Sequence, residues 1–152
     1  MVISIIQIRR GYTVIRTSVE DCGYETLATR AREAVENAYS PYSGYRVGAA
    51  VLTDSGNIYT GCNIENASYG ATNCAERTAV FKAVSEGERR IRAVAIFTDE
   101  GNDAPFPCGI CRQVLSEFCE PDAAIIIYDG ADSVYSAELA ELLPYSFQFN
   151  KE

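Results

Sequence analysis

Histidine is absent from this sequence of 152 residues. Its absence excludes Ser-His-Asp and Cys-His catalysis, because both mechanisms use an imidazole as the base. It also means that the protein ligands of any zinc site must be Cys, Asp or Glu. Cysteine and carboxylate side chains are therefore the groups to consider first.

Positive charge is scarce and is not clustered. The chain has 13 Lys and Arg against 21 Asp and Glu, a formal net charge of −8. The only adjacent basic pairs are Arg9-Arg10 and Arg89-Arg90. Because proteins bind nucleic acids mainly by neutralising phosphates with Lys and Arg, we expect no nucleic-acid partner.

Long apolar runs are also lacking. No stretch approaches the roughly 20 apolar residues that a membrane-spanning helix needs, so we expect no membrane association. The first residues, MVISIIQIRRG, lack the basic segment and the cleavage site of a secretory signal. We therefore expect a cytoplasmic protein whose six cysteines are thiols or metal ligands, although the even number also fits three disulfide bridges.

Apolar periodicity and turn residues predict alternating helices and strands after the first 20 or so residues. The predicted elements are a helix over 24–38, strands over 45–53 and 58–64, a helix over 74–85, a strand over 91–98, a helix over 108–118, strands over 124–128 and 133–136, and a helix over 137–143. Alternation in the second half predicts an α/β fold with parallel crossovers and helices covering the sheet. Residues 1–20 are predicted to be an N-terminal arm of unknown role, and 21–152 a single domain.

Two cysteine motifs carry the chemistry. Cys74-Ala75-Glu76 begins one predicted helix, and Pro107-Cys108-Gly109-Ile110-Cys111 begins the next. A C-x-x-C pair places two sulfurs within reach of one metal ion, and Cys74 supplies a third ligand. Three protein ligands with an open fourth position are typical of a catalytic zinc site. The positive ends of the two helix dipoles favour the thiolate forms that zinc requires.

The residues that follow Cys74 have roles that fit such a site. Glu76 lies two positions after a ligand, so it does not share a face with Cys74, yet its side chain can reach a water molecule in the open metal position. A carboxylate there can move a proton from water to a substrate. Three thiolates and zinc(II) sum to a formal charge of −1, so we expect Arg77 to donate hydrogen bonds to the thiolates and compensate that charge.

Other interpretations of the cysteines remain at this level. A single C-x-x-C pair also occurs in redox proteins, although a redox pair does not predict a distant C-x-E motif. A closed structural zinc site would need Cys62 or Cys119 as its fourth ligand. A structural zinc module or an inactive binding protein, however, has no need of Glu76 beside an open metal position.

The segments GCNIENASYG (61–70), CAERTAVFKAVSEG (74–87) and PCGICRQVLSEF (107–118) closely resemble the small homotetrameric cytidine deaminases. The resemblance extends over roughly 24–147. It implies a three-layer α/β sandwich, with a mixed central sheet of about five strands and helices on both faces. It also implies one zinc ion per subunit and hydrolytic deamination of cytidine and deoxycytidine in a homotetramer whose neighbouring subunits complete each site.

The resemblance also assigns roles by position. Cys74, Cys108 and Cys111 match the zinc ligands and Glu76 the catalytic acid and base. The matching substrate-binding positions are Asn63 and Glu65 for the ribose, Tyr45 for the pyrimidine, the backbone N–H of Ala75 for the base edge, and Phe147 for closing a neighbouring subunit's site. Arg77, Gln113 and Tyr69 are expected beside the metal ligands or at a subunit interface.

Two related enzymes are alternatives. A deaminase of blasticidin S type shares the zinc core, but the intact run N-I-E-N-A-S-Y favours a plain nucleoside. A polynucleotide-editing deaminase is disfavoured by the acidic composition and by the lack of a basic strand with interspersed aromatic residues.

Overall fold

The computed structural model describes residues 4–5, 15–99, 104–128 and 133–149. Within this part of the chain the strands are β1 (Ser4–Ile5), β2 (Ile15–Ser18), β3 (Val47–Thr53), β4 (Ile58–Cys62), β5 (Ile91–Thr98), β6 (Cys119–Tyr128) and β7 (Ser133–Glu138). The α-helices are α1 (Glu25–Ala34), α2 (Ala75–Ser85), α3 (Gly109–Phe118) and α4 (Leu139–Leu142). No helix among the described residues combines the length and the apolar character needed to cross a membrane.

The strands form one mixed sheet in the order β1-β2-β7-β6-β5-β3-β4. β5 and β6 are parallel, and the other neighbouring pairs are antiparallel. The hairpin of β3 and β4 was predicted from the turn residues, and its Gly56 has the positive φ of 86° that a side chain disfavours. The predicted α/β class with a mixed sheet is therefore confirmed.

The sheet separates two hydrophobic layers, because successive side chains of each strand point to opposite faces. On one face, Leu27, Ala31 and Val35 of the first helical segment pack against the sheet. On the other face, Ala79, Val80 and Leu115 from α2 and α3 pack against Val51, Ile96 and Ile127. This arrangement is the expected three-layer sandwich.

The number of strands differs from the expectation of about five. Among the described residues the sheet has seven strands, because part of the predicted N-terminal arm joins it. β2 pairs with β7 in the register Ile15↔Ser136 to Ser18↔Ser133, and β1 pairs with β2. Residues 1–3 and 6–14 of the arm lie outside the described residues, and the division at residue 20 stays a prediction.

Two glycines allow helices to approach the sheet closely. A Cβ atom at Gly48 would overlap the backbone of Ala31 and Val35, so glycine lets α1 lie directly on β3. A Cβ atom at Gly61 would overlap the backbone of Ala75 and Ala79. Gly61 thus sets the position of α2 on β4, and with it the position of the Cys74-Ala75-Glu76 motif.

Candidate active site

The starts of α2 and α3 bring the predicted metal ligands together. Cys74 is the N-cap residue of α2, and Cys108 is the N-cap residue of α3. Both have extended backbones, and neither side chain caps its helix. Cys111 lies in the first turn of α3 and is fully buried. The three thiols therefore converge where the positive ends of two helix dipoles meet.

The distances between the sulfurs fit a zinc ion. The Sγ atom of Cys108 lies 3.9 Å from that of Cys74 and 3.5 Å from that of Cys111, and all three lie within 4.8 Å of one another. Zinc–sulfur bonds of about 2.3 Å in tetrahedral geometry place sulfurs about 3.8 Å apart. This cluster is the only group of three or more potential ligands found in the described ranges, and it can hold one zinc ion.

The other cysteines do not close the site. All six are free thiols, which excludes the three-bridge alternative. Cys62 donates from its Sγ atom to the carbonyl of Asn37 at 3.1 Å. Cys119 packs beside the core cluster, and burial raises the pKa of its thiol to about 12. Neither belongs to the three-sulfur cluster, so the described residues form a set with three ligands and not four.

Glu76 is a buried carboxyl beside the sulfurs, with 5% of its surface exposed. Burial raises its pKa to about 6, and the negative charge of Cys74 adds to this effect, while backbone and Cys111 hydrogen bonds oppose it. A carboxyl with this environment can exist in both protonation states near neutral pH, as a group that accepts and returns a proton requires.

Arg77 contacts the cluster directly. One of its terminal nitrogens, Nη2, lies 3.5 Å from the Sγ atom of Cys74 and donates to the carbonyl of Thr72 at 3.2 Å. A hydrogen bond from Cys111, together with the hydrogen bond and the charge of Arg77, lowers the pKa of the Cys74 thiol to about 5 against the opposing effect of burial. The Nε atom of Arg77 is buried and has no hydrogen-bond partner among the described residues.

Asn63 and Glu65 lie on the segment after β4 and fasten the loop before β3. The Asn63 amide accepts from the backbone N–H of Val47 and donates to the carbonyl of Tyr45, both at 2.8 Å. The Glu65 carboxylate accepts from the hydroxyl of Ser43 at 2.5 Å, and from the N–H groups of Tyr42 at 2.8 Å and Ser43 at 3.2 Å. These hydrogen bonds lower the pKa of Glu65, and the bond from the Ser43 hydroxyl has the largest effect.

This loop-fastening role was not predicted from the sequence. The only signal for Ser43 was its place in a run of turn-forming residues between a helix and a strand. A cavity of about 370 Å³ adjoins the loop and is lined by Tyr42, Ser43, Glu65, Tyr69 and Thr72. The structure thus brings Glu65 and the candidate interface residue Tyr69 to one cavity. The Asn63 side chain donates a hydrogen bond to the carbonyl of Tyr45, in the loop that adjoins this cavity.

The remaining candidate residues lie at the start of α2 and around α3. Ala75 is buried in the first turn of α2, where backbone N–H groups have no partner within the helix. Gln113 donates from Nε2 to the carbonyl of Phe147 at 2.9 Å, while the Phe147 side chain is 70% exposed. Arg112, which the sequence did not single out, donates to the carbonyls of Pro107 and Leu142, both at 2.7 Å.

Three clustered thiols beside a buried carboxyl, on an α/β sandwich, define a zinc-dependent hydrolytic enzyme. The comparison with protein families then gives the particular family. Residues 23–127 match the model described as the cytidine and deoxycytidylate deaminase zinc-binding region. The chain belongs to this family.

Individual relatives agree with the family match. The chain is 47% identical over 123 residues to a cytidine deaminase of Halalkalibacterium halodurans, an alignment that covers 81% of this chain and 92% of that relative. It is 41% identical over 127 residues to a cytidine deaminase of Mycobacterium tuberculosis, covering 84% and 91% of the two chains. The crystal structure of a cytidine deaminase from Burkholderia pseudomallei matches with a TM-score of 0.77 at 41% identity, covering 82% and 98%.

Proposed function

We propose that the protein catalyses the hydrolytic deamination of cytidine and deoxycytidine to uridine and deoxyuridine, with release of ammonia. The observation that carries this proposal is the buried carboxyl of Glu76 beside three sulfurs that fit one zinc ion. Membership of the deaminase family and the cytidine deaminases among the relatives support the choice of substrate.

Cys74, Cys108 and Cys111 would hold the zinc ion. When bound, the ion supplies Lewis acidity that makes a water molecule nucleophilic near neutral pH. Glu76 takes the proton of the attacking water and passes it to ring N3, which prepares C4 for addition of the oxygen. Glu76 then takes the remaining proton of the hydroxyl added at C4 and delivers it to the amino group, so that the C4–N bond breaks to release ammonia and C4 becomes the carbonyl of the product. Its burial keeps bulk water from competing for the proton.

Asn63 and Glu65 have hydrogen-bonding capacity left for the ribose. A carboxylate offers about four acceptor positions, and three hydrogen bonds from Tyr42 and Ser43 occupy Glu65. The remaining position can accept from a sugar hydroxyl. The Asn63 amide uses one donor and one acceptor on the backbone of the neighbouring strand, which leaves one of each.

Three further candidate residues would bind the pyrimidine or close the site. Tyr45, which is 40% exposed, can pack its ring against the base. The N–H of Ala75 lies in the first turn of α2, where it has no partner within the helix, and can donate to an acceptor on the base edge. Phe147 would close the site of a neighbouring subunit, because its exposed ring lies on the surface of its own chain.

We further propose that the enzyme is a homotetramer that acts in the cytoplasm. Exposed aromatic side chains support the assembly, since Tyr69 is 77% and Phe147 70% exposed in the single chain. Six free thiols fit a reducing compartment.

The test follows the ultraviolet absorbance of cytidine during incubation with the purified protein. We expect loss of the cytidine band, and we expect a zinc chelator to abolish it. Glu76→Ala should retain zinc and lose activity by at least about 10²-fold, since acid–base catalysis contributes roughly 10²–10⁴-fold. Glu76→Gln, which keeps the shape of the side chain, is the matched control for packing and should lose activity equally.

Other outcomes would redirect the proposal. Zinc binding without turnover of any nucleoside would indicate a structural zinc module. Turnover of blasticidin S in preference to cytidine would indicate the antibiotic deaminase. Robust activity in Glu76→Ala would remove this carboxyl from the mechanism.

A further inference from the structure

Arg16 in strand β2 lies before the residues that match the deaminase family, which begin at residue 23. It is directly opposite Tyr135 of β7 in the antiparallel ladder. Its Nε and Nη2 atoms donate to the hydroxyl of Ser133 at 3.1 and 2.9 Å, and its guanidinium carbon lies 5.5 Å from the centre of the Tyr135 ring. The guanidinium therefore donates hydrogen bonds to Ser133 and packs on the ring of Tyr135, both in β7.

The Tyr135 ring connects this arginine to the segment that precedes α3. Tyr135 packs beside the core cluster on the face of the sheet that α2 and α3 cover. Its ring centre lies 6.3 Å from that of Phe106, with the planes tilted by 43°. Phe106 is two residues before Cys108, and its N–H donates to the carbonyl of Ala104 at 2.9 Å. The ring contact thus acts on a short turn that ends two residues before the proposed zinc ligand Cys108.

The position of the Cys108 sulfur depends on the backbone of this turn. Cys108 is the N-cap of α3, and its side chain makes no capping hydrogen bond. The turn is held on one side by Arg112, which donates to the carbonyl of Pro107 at 2.7 Å. The Phe106 ring, packed against Tyr135, is a second point of attachment.

We propose that Arg16 is a positioning residue for Cys108. It holds the Tyr135 ring against Phe106 and so restricts the turn that carries the sulfur. The inference rests on the proposed metal centre. It gives the N-terminal arm, which lies outside the family match, a role in that site. Cation–π and aromatic contacts of this kind correspond to about three- to tenfold in an equilibrium constant.

The experiment uses the full chain loaded with zinc and measures the rate of zinc release to an excess of a chromogenic chelator. Arg16→Met should release zinc about three to ten times faster than the wild type, because it loses the contacts that hold the Tyr135 ring. Arg30→Met is the matched control, because it removes the same charge from an exposed position. Within the described part of the chain, the ion-pair partner of Arg30 is Glu33 of the same helix. Arg30→Met should release zinc at the wild-type rate.

Two further variants separate positioning from general stability. Phe106→Leu alters a residue that is 40% exposed and should fold; it should release zinc faster, as Arg16→Met does. The double variant should release zinc no faster than the faster single variant, because both changes break one chain of contacts. Cobalt(II) substitution gives a second measurement, since the sulfur-to-cobalt charge-transfer band should change in both single variants and stay unchanged in Arg30→Met.

The proposal is overturned if Arg16→Met and Phe106→Leu release zinc at the wild-type rate, or if their effects add in the double variant. It is also overturned if Arg16→Met lowers the unfolding temperature while the cobalt spectrum stays that of the wild type. If Arg16→Met fails to fold, Phe106→Leu tests the proposal alone, and zinc release at the wild-type rate in that variant overturns it. A wild-type chain that binds no zinc would refute the metal centre itself, and this inference with it.

Discussion

At the scale of single residues, Arg77 compensates the negative charge of the sulfur cluster. Three thiolates around a zinc(II) ion sum to a formal charge of −1, which weakens the ion as a Lewis acid. Arg77 places Nη2 3.5 Å from the Sγ atom of Cys74 and is anchored by the carbonyl of Thr72. A guanidinium that is partly buried in this way supplies positive charge where solvent screens it little.

Replacing this arginine should therefore weaken the metal site. We expect Arg77→Ala to lower zinc affinity by about 10- to 100-fold, the usual effect of losing a group that hydrogen-bonds a metal ligand. Competition with a chelator of known affinity measures the change. Arg92→Ala is the control, because Arg92 is exposed and lies 4.0 Å from Asp54 in a surface ion pair. Equal zinc affinity in the Arg77→Ala and wild-type proteins would contradict charge compensation.

The sequence predicted the residues whose chemistry is local and missed the contacts that need the fold. Cys108 and Cys111 lie within one helical turn, and Glu76 follows Cys74 closely, so spacing alone suggested a shared site. The bonds from Asn63 to Tyr45 and Val47 were not predicted, because a predicted hairpin does not show which side-chain atoms reach the neighbouring backbone. The same holds for Arg112, whose partner Leu142 is 30 residues away in the chain.

At the scale of elements, the position of helix α2 on the sheet places Cys74 and Glu76. Gly61 of β4 faces the helix backbone, and a Cβ atom there would overlap Ala75 and Ala79. The helix begins one residue after Cys74, so any displacement of its first turn also moves the metal ligand.

Gly61→Ala should consequently destabilise the fold. Backbone atoms cannot move aside as a flexible side chain can, so we expect a loss of about 3 kcal/mol or more, at the upper end of the usual cost of overpacking. Denaturant unfolding measures it. Gly109→Ala, which adds the same methyl group where no atom lies within 4 Å of the new Cβ, should unfold like the wild type. Equal stability of Gly61→Ala would mean that the helix can shift without cost.

Element boundaries were predictable where the pattern was strong. The strand predicted over 91–98 matches β5, which spans Ile91–Thr98. The strand predicted over 124–128 is shorter than the strand in the structure, since β6 begins at Cys119. The added residues pair with β5 in an irregular register beside Ile91–Ala93. Polar residues and Pro121 interrupt the apolar pattern there. The pairing of β2 with β7 joins residues more than 100 positions apart, which local pattern does not reveal.

At the scale of the whole molecule, an aromatic surface surrounds the cavity that Glu65 lines. Tyr39, Tyr42 and Tyr69 are each more than half exposed. The ring centres of Tyr42 and Tyr69 lie 6.2 Å apart in an edge-to-face arrangement. Tyr42 and Tyr69 also line the cavity that Glu65 adjoins. An exposed aromatic surface of this kind favours association with another protein surface, and association there would also cover the cavity.

Tyr69→Asp should accordingly disrupt both assembly and turnover. A carboxylate buried in an interface without a partner is costly, so sedimentation velocity should show species smaller than the wild type. Activity at the same chain concentration should fall, because each site would lack the surface of its neighbour. Thr26→Asp, which adds the same charge in the first turn of α1, where a helix favours acidic residues, should sediment and react like the wild type. If Tyr69→Asp dissociates and keeps full activity, then a single chain contains the complete site.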